Sequence, residues 1–224
     1  MHSGIAHGAA DNAVAPYDSR YVPFTQQAYC CAPTCIQMVM YKNKIPLVPA
    51  EVIGYRLGLV VPPSDARLFY NARTSEEAPV AGYGTRIQLE EFSPNKAFHD
   101  LGIPLEMVVN DIAGFGSAGE VLEFLRKAEE GNRDVLLCFN HGALVDDPSR
   151  DWGHLVLFDR IVAGKLRIID PSPSHPKWRL VEPEKMFLAL KKHGEKPTAA
   201  GLWELRRTSH NATRFEDAVE AGDE

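Results

Sequence analysis

Residues 22–40, VPFTQQAYCCAPTCIQMVM, decide how the rest of the chain is interpreted. They place three of the four cysteines beside two glutamines, just before an apolar run. Proline is tolerated in the first helical turn, where no amide hydrogen is needed, so Pro33 predicts a helix that begins at about residues 32–33. The unpaired amides and partial positive charge of a helix N-terminus favour a thiolate. We therefore interpret Cys31 as a candidate nucleophile at the start of this helix.

The composition is that of an ordinary globular protein. The 224 residues are 45% hydrophobic and 24% charged, with a formal net charge of −6. An acidic chain without Lys and Arg clusters does not favour nucleic-acid binding, and its apolar runs are too short for a membrane span. The first residues lack the basic and apolar regions of a secretory signal, so we expect a cytoplasmic protein whose thiols stay reduced.

Residues 1–20 show no hydrophobic period and are interpreted as an N-terminal arm. The rest of the first half of the chain is predicted to be mainly helical. Residues 58–86 carry several prolines and no clean period, so they are interpreted as a long irregular segment that either borders a substrate cleft or is a surface excursion. The periodic segments are a short helix at 49–57, a helix broken near Pro94 within 85–101, a strand at 105–110 and an amphipathic helix at 118–130.

The second half is rich in short β-runs. Residues 154–161 and 165–170 are linked by Val162-Ala163-Gly164 and read as a hairpin. A further strand at 134–140, a helix at 184–192, a strand at 201–206 and an acidic, disordered tail at 208–224 complete the prediction. The fold class is α+β, a single domain over residues 21–207 with a helical lobe at 21–130 and a sheet lobe at 131–207.

Partners for a thiol nucleophile lie at the ends of the predicted hairpin. His154 follows Gly153 at the start of one strand, and Asp170 ends the other, so the carboxylate is expected to accept a hydrogen bond from the imidazole. Gln26 or Gln27 could donate an amide hydrogen to an oxyanion, beside the backbone amide of Cys31.

Several further residues are candidates for substrate contacts, and Gln27 and Cys30, which lie close to Cys31 in the sequence, are two of them. Trp152 and Gly153 directly precede His154 and are expected at the substrate site. His141 either lines the cleft or is a solvated loop histidine, and Trp178 is either a substrate wall, together with His175, or a core residue under a proline-rich loop. Cys35 and Cys138, by contrast, are expected to be small buried apolar residues.

The stretch also resembles a known family. Gln26 followed by Cys31-Ala32-Pro33-Thr34 and an apolar helix is similar to the nucleophile helix of papain-like cysteine peptidases, especially bacterial C39-like peptidases, whose pattern is Cys-Gly-Pro-Ala. Phytochelatin synthase, a papain-fold transpeptidase, has motifs that Ala28-Tyr29-Cys30-Cys31, Gly153-His154, Asp170 and Trp178 resemble. The resemblance covers about residues 22–42 and 134–206.

This resemblance implies a papain-like fold, in which the nucleophile helix packs on a C-terminal antiparallel sheet. It implies Cys31 as nucleophile, His154 as general base and acid, Asp170 as the residue that orients His154, and Gln26 as oxyanion donor. The sequence departs from the pattern at Ala32, where these families have Gly, and Gln26 lies five rather than six positions before Cys31. If Tyr29-Cys30 alone is aligned with the Tyr-Cys pair of the phytochelatin synthase motif, Cys30 becomes the nucleophile instead of Cys31.

The implied function is acyl transfer through a thioester acyl-enzyme, without a cofactor. The substrate would be a peptide, an amide or a thioester-bound acyl compound. Transfer to water gives a peptidase or amidase, and transfer to an amine acceptor gives a transpeptidase or a transglutaminase-like, amide-forming acyltransferase. The alternative of another class is a non-catalytic binding protein that kept the fold. The oligomeric state is left open.

A zinc site is a further alternative for the cysteines. Three cysteines with His141 or His154 could bind zinc, but the adjacent Cys30 and Cys31 cannot both ligate comfortably, and the sequence has no C-x-x-C pair. We therefore expect no metal.

Overall fold

The computed structural model describes residues 18–208. Most of the predicted N-terminal arm and nearly all of the predicted acidic tail lie outside the described residues. Within residues 18–208, none of the helices is long and apolar enough to cross a membrane.

The described residues form six α-helices and eight strands. The helices are α1 (Cys31–Lys42), α2 (Ala50–Arg56), α3 (Pro94–Asp100), α4 (Ala118–Glu130), α5 (His141–Val145) and α6 (Pro183–Gly194). The strands are β1 (Val60–Val61), β2 (Arg73–Thr74), β3 (Leu105–Asp111), β4 (Asp134–Asn140), β5 (Gly153–Val162), β6 (Lys165–Ile169), β7 (Trp178–Val181) and β8 (Gly201–Arg207).

One six-stranded sheet organises the molecule. Its strand order is β3-β8-β4-β5-β6-β7, every neighbouring pair is antiparallel, and β1 and β2 form a separate parallel pair. Antiparallel neighbours can be joined by tight turns, and β5 and β6 are joined in that way. Val162 pairs with Lys165, so the turn consists of Ala163 and Gly164, both with positive φ. The predicted three-residue link was one residue too long because Val162 is still part of the strand.

Both faces of the sheet are covered by helices. Strand β4 is buried along its whole length, and its side chains alternate between two cores. Leu136 and Cys138 face the core that includes residues of α1, α2 and α3, whereas Val135, Leu137 and Phe139 face the core that includes residues of α4 and α6. This period of two places α1 on one face of the sheet. The α+β class is confirmed.

The division into a helical lobe and a sheet lobe at residue 131 does not match the sheet. Strand β3 belongs to the first half of the chain, yet it pairs with β8 along the sheet edge. Helices α5 and α6 belong to the second half. The hydrophobic period reports which residues are buried, but it does not report which partner buries them, so the membership of β3 in the sheet was not foreseen.

The irregular middle of the chain differs in detail from the prediction. Residues 58–86 include β1, β2 and the 3₁₀ helix Pro63–Leu68, and the rest has no regular structure. The predicted helix at 85–101 is reduced to α3 and the 3₁₀ turn Glu90–Phe92. Pro94 occupies the first turn of α3 and so begins this helix. Strand β7 was missed because four residues are too few to show a strand period.

Candidate active site

Helix α1 brings Cys31 to the start of β5. The thiol of Cys35 donates to the carbonyl of Leu155 at 3.7 Å, in a fully buried contact between the helix and the strand. Cys31 lies one turn before Cys35, and His154 lies one residue before Leu155. The docking of α1 on β5 therefore places the predicted nucleophile beside the predicted base.

His154 and Asp170 meet as the hairpin predicted. The imidazole Nε2 lies 2.8 Å from Oδ1 of Asp170, and both side chains are buried. Asp170 also accepts a hydrogen bond from the backbone amide of Ser172 at 3.0 Å, and the guanidinium of Arg179 donates to its Oδ2 at 3.0 Å. The carboxylate is thus held by three donors, and Nδ1 of His154 is left for Cys31.

The electrostatics of the pair favour a charged imidazole. Burial alone would lower the pKa of His154, but hydrogen bonding and charge from Asp170 and Cys31 outweigh it and raise the pKa to about 10. Burial would likewise raise the pKa of Asp170, yet its contacts with His154, Ser172 and Arg179 hold that pKa well below its ordinary value. At neutral pH the pair is therefore a carboxylate and an imidazolium, and the charged imidazole of His154 also contacts the side chain of Cys31.

The other cysteines are unlike Cys31. Cys30 is completely buried in a small cluster with Leu59, Val61 and Phe69, and burial raises its pKa to about 12. Burial also raises the pKa values of Cys35 and Cys138. Cys31 is partly exposed. Of the two neighbours, the structure therefore brings Cys31, and not Cys30, to His154.

Backbone amides at the start of α1 and the side-chain amide of Gln26 lie in the region of Cys31. Thr34 is the first residue of α1 whose amide bonds back into the helix, to the carbonyl of Cys30 at 3.0 Å. Pro33 has no amide hydrogen, so the free end of the helix consists of the amides of Cys31 and Ala32. Gln26 lines the same groove as Cys31, and its buried amide oxygen has no hydrogen-bond partner among the described residues.

Gln27 is turned away from this position. Its side-chain amide donates to the carbonyl of Leu68 at 2.6 Å, in an exposed contact. The two glutamines therefore have different surroundings. Gln26 lines the groove together with Cys31, whereas Gln27 is hydrogen-bonded to the residue before Phe69.

A groove of about 640 Å³ opens on one side of Cys31. Trp152 and Gly153, two of the candidate substrate-contact residues, line it. Its walls are mainly apolar, and its charged pair, Asp151 and Lys196, is joined by a 3.0 Å salt bridge. The remaining lining residues are Gln26, Tyr29, Ala78, Pro79, Val80, Gly82, Tyr83 and His154. Five of these residues lie between positions 78 and 83, so the irregular segment borders the candidate cleft.

Trp178 does not lie in this groove. Its indole N–H donates to the hydroxyl of Ser19 at 3.2 Å, and the ring packs against the core on the α1 face. The structure thus places Trp178 in β7 as a packing residue, which was the second of its two interpretations from the sequence.

His141 is a buried residue behind His154, and the interpretation as a solvated loop histidine is wrong. It begins α5, whose Asn140 cap accepts a hydrogen bond from Ala143. Its ring is stacked on Trp152, lies edge-on to His154 at 5.3 Å between centroids, and places Nε2 3.4 Å from Nε2 of His175. Burial and then the charge of His154 lower the pKa of His141 to about 4.

A second, smaller cavity also has Cys31 in its lining. Its volume is about 50 Å³, and its lining includes Tyr83, Arg86, Cys138 and His193 besides Cys31 and His154. Sequence reasoning missed Tyr83, Arg86, His193 and Arg179. The Gly82-Tyr83-Gly84 run was visible as a turn within an irregular segment, which is the one signal in the sequence that marks this wall. Nothing in the helical pattern of α6 distinguished His193.

The zinc alternative finds no support in the geometry. Among residues 18–208, no group of three or more His, Cys, Asp or Glu side chains is arranged to hold a metal ion.

The fold has a counterpart among solved structures. A Bacillus anthracis protein provisionally assigned as a C39-like peptidase is similar to this chain, with a TM-score of 0.50 and 17% sequence identity. The match covers 84% of this chain and 96% of that one. No family model and no curated protein sequence matches the chain. At this identity the likeness shows the fold alone, which is of the C39-like, papain-like kind. The likeness to phytochelatin synthase stays a prediction.

Proposed function

We propose that the chain is a cysteine-dependent acyl-transfer enzyme in which Cys31, His154 and Asp170 form the catalytic triad. The observation that carries this proposal is the alignment of a partly exposed thiol, a charged imidazole and a buried carboxylate at the junction of a groove and a cavity. A positively charged imidazole beside a thiol is the arrangement that activates cysteine nucleophiles.

The reaction would proceed in two steps. The Cys31 sulfur attacks the carbonyl carbon of a peptide, amide or thioester, and the carbon–sulfur bond forms as the carbonyl oxygen takes up negative charge. Amides at the start of α1 and the side chain of Gln26 would stabilise that oxyanion. His154 then gives its proton to the leaving amine or thiolate, and the bond to the leaving group breaks. In the second step His154 takes a proton from water or an amine, which attacks the thioester and frees Cys31.

Labelling with iodoacetamide near neutral pH tests the nucleophile. We expect one cysteine, located by mass, to react at least about tenfold faster than a free cysteine, because a paired thiolate is the reactive form. Cys31→Ala should remove the fast reaction, whereas Cys30→Ala is the matched control and should keep it. Slow labelling of all four cysteines at similar rates would favour the non-catalytic binding protein.

Turnover of p-nitrophenyl acetate, a generic activated ester, tests acyl transfer. We expect a burst of nitrophenolate equal to the concentration of Cys31, followed by a slower steady state. Added glycinamide would then divide the acyl-enzyme between hydrolysis and amide formation, and the product ratio distinguishes a peptidase or amidase from a transferase. A Cys31→Ala variant with unchanged turnover would contradict both the hydrolytic and the transferase function.

A further inference from the structure

Arg86 is a buried cation without a counter-ion among the described residues. Its side chain is 6% exposed, and it takes part in no salt bridge within residues 18–208. Its guanidinium donates to the carbonyls of Thr85 at 2.8 Å and Gly82 at 2.7 Å. Burial lowers its pKa, and no neighbouring carboxylate counters that effect. Because charged side chains are almost never this buried unless paired, the missing partner needs an explanation.

Arg86 lines the cavity of about 50 Å³ that also contains Cys31 and His154. None of the residues that line this cavity is an Asp or a Glu. His193, a third basic residue in the lining, is neutral at pH 7 because burial lowers its pKa to about 4. The cavity is therefore positive. A cavity needs about 10–15 Å³ to hold one water, so this one admits a group of a few atoms such as a carboxylate.

The cavity and the groove meet at the candidate nucleophile. Cys31, Tyr83, Gly153 and His154 line both spaces. An acyl compound bound across Cys31 would thus extend into the roomy apolar groove on one side and into the small positive cavity on the other. In the groove, Lys196 is already paired with Asp151, so the unpaired positive charge is on the cavity side.

We propose that Arg86 and the cavity it shares with Cys31 form an anion subsite, and that the substrate carries a carboxylate within a few bonds of the carbonyl that Cys31 attacks. This inference rests on the proposed function, because it takes Cys31 as the reacting atom. It narrows the substrate class to acyl compounds with a nearby acid group, such as the terminal residue of a peptide chain.

A pair of alkylating reagents tests the subsite without a known substrate. Iodoacetate and iodoacetamide deliver the same carbon to the thiol and differ in charge. The quantity of interest is the rate constant with iodoacetate divided by the rate constant with iodoacetamide. We expect this ratio to be higher at Cys31 than for a free thiol. Arg86→Gln should reduce it by roughly tenfold, since hydrogen bonds to charged groups contribute about 1.5–3 kcal/mol. Arg86→Lys should retain a higher ratio than Arg86→Gln. His154 also attracts anions, but it is present in every variant.

The control is Arg56→Gln, which removes a positive charge from an exposed helix end and should leave the ratio unchanged. An unchanged ratio in Arg86→Gln would overturn the proposal. An equal loss of rate with both reagents would also overturn it, because that result would mean that Arg86 only stabilises the conformation of residues 82–85. Slow reaction of wild-type Cys31 with both reagents would contradict the proposed function instead.

A measurement on the wild-type protein covers the case in which Arg86→Gln does not fold. Acetate should slow the labelling of Cys31 by iodoacetamide in a saturable way, whereas acetamide at the same concentration should not. Equal protection, or none, by the two compounds would overturn the subsite.

Discussion

Asp170 combines two tasks at the scale of a single residue. Its Oδ1 accepts from His154 and from the amide of Ser172, and its Oδ2 accepts from Arg179. A fully buried carboxylate is costly unless it is paired, and these donors offset that cost. The same carboxylate orients the ring of His154 and stabilises its charge, because a neutral imidazole at this buried position would otherwise be favoured.

We expect Asp170→Asn to slow labelling of Cys31 by iodoacetamide at pH 7 by on the order of 10²-fold or more, as loss of the orienting acid does in related triads. The pKa of His154 should fall because burial then dominates, so the imidazole is no longer charged at neutral pH. The pH profile of the labelling rate measures both effects.

Arg179→Met is the matched control for Asp170→Asn. It removes the donor to Oδ2 but leaves the contact between Asp170 and His154, so the rate should fall by about tenfold or less. An Asp170→Asn profile that coincides with the wild-type profile would mean that Asp170 does not orient His154.

At the scale of elements, local signals in the sequence account for most of the fold. Helix α4 was predicted with its observed bounds because an apolar stripe marks its inner face and Gly131 follows its end, and in the structure the Ser117 side chain caps its start. Helix α1 begins one or two residues before the predicted start. The pairing of β3 with β8 was not predicted, because residues 105–111 and 201–207 are brought together by the packing of the whole sheet.

The same reasoning explains which site residues were found. His154 and Asp170 belong to one hairpin, so their proximity follows from local pairing, and Cys31 is marked by Pro33. Arg86 comes from an irregular segment, and His193 comes from the buried face of α6. Their positions depend on contacts between distant segments, and a single sequence does not encode those contacts as a period.

Gly153 is the point at which β5, α6 and the irregular segment meet. Its amide donates to the carbonyl of Ala81 at 3.0 Å, and a Cβ at this position would lie 2.7 Å from Cε1 of His193. His193 is buried, so a shift of its ring would disturb the residues packed around it. We expect Gly153→Ala to lower the free energy of unfolding by about 1–3 kcal/mol and to slow Cys31 labelling, because overpacking displaces the start of β5.

A double-mutant cycle checks the cause of this effect. In a His193→Ala background the clash is absent, so Gly153→Ala should cost less than it does in the wild-type protein, with an interaction energy of about 1 kcal/mol or more. Urea denaturation gives the free energies. Additive costs in the two backgrounds would show that the contact with His193 is not the reason for glycine at this position.

At the scale of the whole molecule, buried histidines have pKa shifts of opposite sign. Burial lowers the pKa values of His141 and His193 from 6.5 to about 4, and His175 is shifted in the same direction. His154 is raised from 6.5 to about 10 against the effect of its burial, by Asp170 and Cys31. The two kinds of shift act on stability in different pH ranges.

Between pH 6.5 and 4 the unfolded chain binds protons at His141 and His193 that the folded chain does not bind, so stability falls as the pH is lowered. The charged His154 contributes to the free energy of unfolding in full below pH 6.5, and this contribution is lost as the pH rises toward 10. We therefore expect the free energy of unfolding, measured with urea, to be highest near pH 6.5 and to decrease on both sides.

Two variants separate the limbs of this profile. His193→Gln should reduce the slope between pH 6.5 and 5 by up to about 1.4 kcal/mol per pH unit, the value for one proton, because glutamine does not titrate. His99→Gln, at an exposed position on α3, should leave the slope unchanged. If His193→Gln and wild type lose stability in parallel over this range, protonation of His193 is not what destabilises the folded chain, and the acid limb has to come from other groups.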